Sequence, residues 1–587
     1  MIYSNKCIKY TDNNMSQAVR SPLPPTFFVA NTMEIFERLA WYGFFALSSL
    51  YMTSPQNQGG LGFSDQERGL LQGMIPFFLY LFPVLTGALA DRYGYRKMFL
   101  VAYAIMCPSY YLLGQVDSFT GFFVAFMGVA VGAACFKPVV TGTVARTTDD
   151  TNRGLGFGIF YMMVNIGGFL GPFIAGYVRA ISWDWVFIMS AFWIGLNFIP
   201  ALFFYKEPTD QNSQKGKPLK AVFADIQEVL GNARFAILFF GTLIILMSYG
   251  AKWITGETTL IIYAAWFSTH LVWDKLASSK KSAPWYGQKI SLGNKPFVIY
   301  LLILSGMWMV YQQIFITLPI FIRDFVDTTD LVLMLANYPD LQQFFAPVDT
   351  TLLQSELTRL AQEFSAGTLS AKQAYFELVH AKVMVPTAEI SQAFTAIGQA
   401  PALAAQYAQS WANDYRQVNP EYLIGLNFLS IVLMQLLISR FVERFQALPV
   451  LVGGTIILAL GTAIGGFAHG AVMGGAMVLT SILVFSIGEM VASPKSQEYV
   501  ASFAPNDKKA MFMGYYFVSS AIGFLLAGPL SGYLYSEVAK GAERPDLMWF
   551  IIGGLGLLTA FGLVIFHKFG VTPQAQDEVN GELAQAN

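Results

Sequence analysis

Fourteen apolar segments, each long enough to cross the roughly 30 Å of hydrocarbon in a bilayer, recur along this 587-residue chain. Hydrophobic residues make up 55% of the chain and charged residues only 12%, whereas a soluble domain is about one-quarter charged. The sequence therefore predicts an all-α polytopic membrane protein. The segments fall at about 27–51, 69–90, 96–114, 119–144, 154–178, 185–205, 235–252, 257–273, 296–322, 420–441, 448–468, 472–501, 510–535 and 547–567.

Basic residues are concentrated in alternate connections between these spans, and the opposite connections carry few. Because basic loops remain on the cytoplasmic side and the number of spans is even, both termini are predicted to be cytoplasmic. The groups that carry this prediction are Arg92, Arg96 and Lys97; Arg146 and Arg153; Lys206, Lys215, Lys217 and Lys220; Lys275, Lys280, Lys281 and Lys289; and Arg440 and Arg444.

Composition also excludes several classes of function. The net charge of −1 argues against a nucleic-acid partner. Three cysteines are too few for a disulfide framework, and the four histidines show no metal-ligand spacing. We therefore expect no metal site and no organic cofactor.

The first apolar segment contains three ionisable side chains within five residues, Glu34, Glu37 and Arg38. Spacings of three and four residues place all three on one face of a helix. A charge at mid-membrane costs about 3 kcal/mol on insertion scales, so we expect this face to line an internal, hydrated pathway. The alternative is a self-neutralising Glu–Arg pair that only stabilises a buried bundle.

A weak internal repeat divides the chain into two halves. The fifth span reads NIGGFLGPFIAGY around Gly171-Pro172, and the thirteenth reads AIGFLLAGPLSGY around Gly528-Pro529. If the seventh and eighth spans form an inserted hairpin (235–273) within a linker (206–295), these are the fifth helices of two six-helix halves, 27–205 and 296–567. Parallel six-helix repeats are the architecture of the major facilitator fold. Gly-Pro pairs are also common in membrane helices, which is the alternative explanation.

Opposite charges lie in corresponding spans of the two halves. The fourth span contains Lys137-Pro138, and the twelfth contains Glu489 followed by Ser493-Pro494. Proline-interrupted helices at matching positions, one with a cation and one with an anion, predict a binding site between the halves. The alternative for Lys137 is a side chain that extends to a membrane interface.

Residues 323–419 separate the ninth and tenth spans, and the topology places them outside the cell. This segment is more acidic than basic, and parts of it have helical apolar spacing. We expect a small helical insert that is a cap, a partner-binding site or a passive insertion. Polar tails are predicted over 1–26, without a signal-peptide core, and over 568–587.

The connection between the second and third spans, GALADRYGYRK around Asp91-Arg92, resembles a loop motif of major facilitator transporters. The first-span stretch from Glu34 to Gly43 resembles the ExxERFxYYG signature of the proton-dependent oligopeptide transporter family. The resemblance extends over nearly the whole chain except 323–419, and the extra hairpin is typical of bacterial members. Its further elements are Tyr80-x-x-Pro83, Lys137-Pro138, Phe160-Tyr161 with Asn165, Trp308-x-x-Tyr311-x-Gln313, Asn419-Pro420, and Glu489 with Ser493-Pro494 and Glu498-Tyr499.

This resemblance implies roles for individual residues. Glu34, Glu37 and Arg38 match the proton-coupling motif, Lys137 matches the residue that meets a peptide carboxylate, and Glu489 matches the acid that faces the amino group. The implied substrate-binding residues are Arg38, Tyr42, Tyr80, Lys137, Asn165, Trp308, Gln312, Asn419 and Glu489. The implied conformational-gating residues are Asp91, Arg92, Gly171, Pro172 and Pro494.

Two positions depart from the family pattern. Phe45 stands where an arginine is common, and Gln312 stands where an acid is usual. In the family these two residues pair across the halves. Because a lone buried charge is costly, joint neutralisation is physically consistent, and it leaves more of the coupling to Glu34, Glu37 and Glu489.

The resemblance implies a symporter in the bacterial inner membrane that imports short peptides or peptide-like zwitterions by alternating access, with protons as the coupling ion and no enzymatic activity. One alternative keeps the fold but changes the solute to an amino acid, a modified peptide or a nitrate-like anion. Another is a membrane sensor or scaffold that does not transport.

Overall fold

Long helices account for the membrane-spanning part of the protein. The structure, a computed structural model, describes residues 22–149, 152–208, 219–250, 253–280, 283–501 and 509–569. Most of the two predicted tails, and parts of the predicted linker that include Lys215, Lys217 and Lys281, lie outside the described residues. The long helices are α1 (Pro25–Thr53), α2 (Asp65–Tyr93), α3 (Tyr95–Leu113), α4 (Phe119–Arg146), α5 (Arg153–Arg179), α6 (Trp183–Phe204), α7 (Ala233–Gly250), α8 (Gly256–Leu276), α9 (Lys295–Ile316), α10 (Pro420–Val442), α11 (Ala447–Ile464), α12 (Gly474–Ala501), α13 (Lys509–Tyr533) and α14 (Pro545–Phe569).

Each long helix coincides with one predicted apolar segment. Within the described residues, eleven helices are long and apolar enough to cross a membrane by length and composition. The other three are α1, which carries the charged triad, and α3 and α8. The multi-pass membrane architecture is confirmed, and the count of fourteen spans stays a prediction.

Local sequence explains the ends and interruptions of these helices. Helix α2 starts with a capping box in which the Ser64 side chain accepts from the Glu67 backbone and the Glu67 carboxylate accepts from Ser64. Its regular part ends at Leu81 and resumes at Pro83, because proline removes one backbone hydrogen bond and clashes with the preceding turn. Helix α13 continues into a π-helical segment, Leu534–Gly541.

The two halves meet through α2 with α13 and through α5 with α10. At the first contact the backbones touch, since a Cβ on Gly528 would lie 2.1 Å from the carbonyl oxygen of Gly69. At the second, a Cβ on Gly168 would lie 2.6 Å from the Phe428 ring. Small residues therefore allow close approach at both inter-half contacts.

The predicted insert folds as a helical unit with its own hydrophobic core. Its buried core includes Leu357, Leu378, Phe394 and Trp411. We call the side of the bundle that carries this insert, together with the ends of α1, α5 and α13, the insert face. The insert helices are Thr329–Met334, Pro339–Phe345, Thr350–Ser365, Ala371–His380, Thr387–Gln399 and Leu403–Asp414.

Candidate binding site between the two halves

The three charges of α1 form one buried cluster. Arg38 Nε lies 3.2 Å from Glu34 Oε1, and the same guanidinium bonds the Glu37 carboxylate. All three side chains are almost fully buried. One oxygen of each carboxylate, Glu34 Oε2 and Glu37 Oε1, has no hydrogen-bond partner in the described part of the chain. Arg38 therefore neutralises part of the cluster while each glutamate keeps a free acceptor.

Two cations of the first half, Arg38 and Lys137, each contact a tyrosine ring that extends toward the second half. Arg38 Cζ lies 5.6 Å from the centroid of the Tyr42 ring, and Lys137 Nζ lies 4.1 Å from that of Tyr80. Both distances are within the range of cation–π attraction. No carboxylate among the described residues lies within ion-pair distance of Lys137. Its ammonium is therefore held by an aromatic face and is available to an anion.

These tyrosines contact phenylalanines of the second half. The Tyr42 and Phe428 rings meet edge to face with centroids 4.8 Å apart, and Tyr80 meets Phe524 in the same way at 5.1 Å. Edge-to-face geometry is favourable for aromatic pairs. The cationic side of the first half is thus joined to the second half through aromatic contacts.

Glu489 supplies the anion of the second half. Its Oε2 accepts a hydrogen bond of 2.8 Å from Asn427 Nδ2, and Asn427 also donates to Ser486 Oγ at 3.0 Å. Within the described residues, no lysine or arginine lies within ion-pair distance of Glu489. The carboxylate is oriented by an amide and is not paired with any of these cations, so it can meet a cationic group of a ligand.

A cavity of about 140 Å³ lies between the halves and brings many of the predicted residues together. Aromatic side chains dominate its wall, and the polar groups are one carboxylate with a few amides and hydroxyls. Five lining residues come from the first half, Tyr42, Tyr80, Tyr161, Val164 and Asn165. The second half contributes Trp308, Tyr311, Phe428, Ile431, Glu489, Ser493, Gln497, Tyr516, Phe517, Ser520 and Phe524.

Four of the predicted binding residues lie outside this cavity wall. Arg38 and Lys137 contact the rings of Tyr42 and Tyr80, which do line the cavity. Gln312 is buried within α9, and Asn419 is buried just before α10 on the insert face, where its backbone N–H donates to the Phe345 carbonyl. The amide that contacts Glu489 is Asn427, two turns farther along α10. The general rule that a polar residue in an apolar span faces the bundle interior would have selected it.

The predicted gating residues occupy several different places. Asp91 accepts from Arg146 Nη2 at 2.8 Å and from the Tyr95 hydroxyl at 3.1 Å, while Arg92 is exposed with its guanidinium beside the Tyr93 ring. The sequence prediction missed Glu207, whose carboxylate accepts the first backbone N–H groups of α3, at Tyr95 and Arg96.

The proline-associated positions also differ in their surroundings. Gly171, followed by buried Pro172, packs against the backbone of Gly43 at the end of the charged stretch. Pro494 is exposed, two turns before the end of α12.

Phe45 stacks on Trp41 with ring centroids 4.9 Å apart. An apolar stack therefore occupies the position where the family pattern has an arginine.

Comparison with known proteins identifies the family. The Major Facilitator Superfamily model matches residues 34–338 and 388–585. Peptide transporter YePEPT of Yersinia enterocolitica is 22% identical over 538 residues, which cover 86% of each chain. A Di-/tripeptide transporter of Lactococcus lactis is 24% identical over 31% of this chain and 40% of its own.

Solved structures agree in fold. A POT family transporter in complex with 5-aminolevulinic acid superimposes with a TM-score of 0.60 at 16% identity, over 92% of this chain and 96% of that one. A peptide transporter POT mutant in complex with sulfate also gives 0.60, at 17% identity, over 93% and 94%. The chain belongs to the Major Facilitator Superfamily, and its resemblance to the proton-dependent oligopeptide transporter branch agrees with the relatives and structures that it matches.

Proposed function

We propose that this protein is a proton-coupled symporter that imports di- and tripeptides or peptide-like zwitterions by alternating access. The observation that carries the proposal is the opposition of charges between the halves. Arg38 and Lys137 lie on the first half, and Glu489 lies on the second with no counterion among the residues that the structure describes. A zwitterionic peptide needs a cation near its carboxylate and an anion near its amino group, and this arrangement supplies both.

Proton coupling is assigned to Glu34, Glu37 and Arg38. A carboxylate couples a proton to a conformational change when its cationic partner is lost or gained during the cycle. Arg38 bonds both glutamates, and each glutamate retains one oxygen without a hydrogen-bond partner among the described residues. Binding of a substrate carboxylate by Arg38 or Lys137 would weaken these pairs and favour protonation of a glutamate.

The proposed cellular setting is the bacterial inner membrane with both termini in the cytoplasm. The basic connections between spans support this orientation, which places the 323–419 insert outside the cell. There the insert is available to an extracytoplasmic partner. Import then carries the substrate from the insert face to the opposite face.

The test is uptake of a labelled dipeptide into vesicles under an imposed pH gradient, inside alkaline. We expect accumulation that a proton uncoupler abolishes and that unlabelled dipeptides inhibit. Glu37→Gln should remove gradient-driven accumulation while counterflow exchange of the dipeptide continues. The matched control is Glu443→Gln, at an exposed acid just after α10, which should accumulate normally.

Three outcomes would contradict the proposal in different ways. If no dipeptide inhibited uptake, the protein would transport another solute. Full gradient-driven accumulation by Glu37→Gln would show that the proton is carried elsewhere. Binding of a dipeptide without any accumulation would favour a sensor instead of a transporter.

A further inference from the structure

Two ion pairs join the halves across the insert face. Arg179, the last residue of α5, places Nη1 3.3 Å from each carboxylate oxygen of Glu421 in the first turn of α10. Lys540, in the π-helical segment after α13, places Nζ 3.0 Å from Oδ2 of Asp65, the first residue of α2. We call these the cross-half ion pairs.

The cross-half ion pairs are related by the internal repeat of the chain. Helices α2 and α10 are the second helices of their halves, and each supplies a carboxylate from its first turn. Helices α5 and α13 are the fifth helices, and each supplies a cation from its end or its continuation. Each half therefore gives one anion and one cation, and each pair links a second helix of one half to the fifth helix of the other.

The carboxylates of both pairs are buried, so each one depends on a partner. The Glu421 side chain is fully buried, and that of Asp65 is 9% exposed. Arg179 also lies over the Trp183 ring with Cζ 4.4 Å from its centroid. Removing Arg179 would leave Glu421 as an uncompensated buried charge, which is costly, whereas Asp65 without Lys540 keeps Arg68 Nε at 3.8 Å.

Hydrogen bonds donated by two arginines lie near the Asp65–Lys540 pair and also cross between the halves. Arg68, fully buried, donates to the Ile316 carbonyl at 2.9 Å and to Ser531 Oγ at 3.0 Å. Arg323, held by Asp324, donates to Thr53 Oγ1 at 3.0 Å. Separation of the halves on this face would break these bonds together with the ion pair.

The backbone contact between α2 and α13 lies beside the same pair. A Cβ on Gly532 would lie 2.8 Å from the Asp65 carbonyl oxygen, and Gly69 lies one turn farther along α2 against Gly528. Because the two backbones are in direct contact, a displacement at one end of either helix must also move the other helix along the whole contact.

We propose that the cross-half ion pairs, Arg179–Glu421 and Asp65–Lys540, are a pseudo-symmetric pair of gating contacts that hold the insert face closed. One member of each pair moves away from the other when that face opens. The inference concerns the conformational cycle alone and requires no particular substrate. Neither the charged cluster of α1 nor Glu489 takes part in it.

The test measures access to a buried residue from the insert face. A single cysteine replaces Ala527, which is buried in α13, in full-length protein whose Cys7, Cys107 and Cys135 are serine. A membrane-impermeant maleimide is applied to vesicles in which this face is outside. Glu421→Gln should raise the labelling rate about tenfold or more, as expected for a broken buried pair.

Weaker effects are expected at the second pair and at a neighbouring hydrogen bond. Lys540→Gln should raise labelling about two- to fivefold, because its ammonium is partly exposed and screened. Thr53→Val removes the acceptor of Arg323 with almost no change in shape, so it keeps the proposal testable if a charge variant fails to fold. It should raise labelling about twofold, within the effect of one modest hydrogen bond.

Two controls separate gating from general loosening. Lys372→Gln removes an exposed pair with Glu543 that does not join the two halves, and it should leave labelling unchanged. A cysteine at Ala133, buried inside the first half, should stay unlabelled in every variant.

Unchanged labelling of the Ala527 cysteine in Glu421→Gln, Lys540→Gln and Thr53→Val would overturn the proposal. If the Ala133 cysteine were labelled as fast as the Ala527 cysteine, the increase would be due to unfolding, and this result would overturn the proposal as well. Because labelling needs no substrate, either result is distinguishable from a failure of the peptide-transport proposal.

Discussion

Gly171 and Gly43 place the backbones of α5 and α1 in direct contact. A Cβ on Gly171 would lie 2.9 Å from the backbone nitrogen of Gly43, and a Cβ on Gly43 would lie 3.1 Å from the carbonyl oxygen of Gly171. Real Cβ atoms essentially never approach backbone at 2.9 Å. The glycine that ends the charged stretch of α1 and the Gly-Pro pair of the internal repeat are therefore two sides of one contact.

The substitution Gly171→Val should destabilise the first half. The added methyl groups would push against backbone that cannot rotate away, and overpacking of this kind costs about 1–3 kcal/mol. We expect a lower melting temperature in detergent and a proportionate loss of uptake. Gly158→Val on the same helix is the matched control, because nothing lies within 4 Å of a Cβ at that position. Equal melting temperatures for both variants would show that the contact is not tight.

Replacing Glu489 should affect the amino end of the substrate selectively. Glu489→Gln keeps the shape of the side chain and its contact with Asn427 but removes the charge. A charge-assisted hydrogen bond contributes about 1.5–3 kcal/mol, so the affinity for a dipeptide with a free amino group should fall about 10- to 150-fold. Competition assays with the free dipeptide and its N-acetylated form measure this difference.

The acetylated dipeptide supplies the internal comparison. It lacks the cationic amino group, so its weaker binding should be nearly the same in the wild type and in Glu489→Gln. If both ligands lost affinity equally, Glu489 would act on the structure of the site and not on the amino group.

Much of the site could be predicted because local sequence determines it. The spacing of Glu34, Glu37 and Arg38 places them on one helical face, and the structure joins them in one cluster. Lys137 and Glu489 lie in corresponding helices of two halves, and the repeat predicted that they belong to opposite sides of one site. Helix periodicity and an internal repeat are both visible in a single sequence.

The remaining features depend on distances that a sequence does not contain. Choosing between Asn419 and Asn427 needs the depth of each residue along α10, which depends on where the helix starts. The cross-half ion pairs connect residues 242 and 475 positions apart. Either partner alone has the appearance of an ordinary charge near the end of a span.

Glu207 should stabilise the start of α3 through its carboxylate. It accepts the backbone N–H groups of Tyr95 and Arg96, which have no partner within the helix. Glu207→Ala should lower the free energy of unfolding by about 1 kcal/mol, the usual effect of losing a helix cap. Thermal unfolding in detergent measures the change, and Glu207→Gln should retain part of the stability because its amide oxygen still accepts. If Glu207→Gln lost as much stability as Glu207→Ala, the effect would come from the charge of the carboxylate.

Lys382 should make the stability of the insert depend on pH. Its pKa is lowered from 10.5 to about 7, chiefly by burial and also by the charge of Arg179, while Glu421 opposes the shift. Between pH 7 and pH 10.5 the unfolded chain therefore binds more protons than the folded one at this site. Stability must then rise with pH across this window, and the folded protein bears the cost of a buried charge at pH 7 and below.

Lys382→Met removes this ionisation and keeps the apolar part of the side chain. The variant should be more stable than the wild type at pH 6.5, and its advantage should shrink steadily toward pH 9. Proteolysis within 329–417 of the full-length protein measures this as the ratio of variant to wild-type cleavage rates at each pH, which cancels the pH dependence of the protease. Lys372→Met, at an exposed lysine of the same insert, should show a constant ratio. A constant ratio for Lys382→Met as well would mean that Lys382 keeps its ordinary pKa in the folded protein.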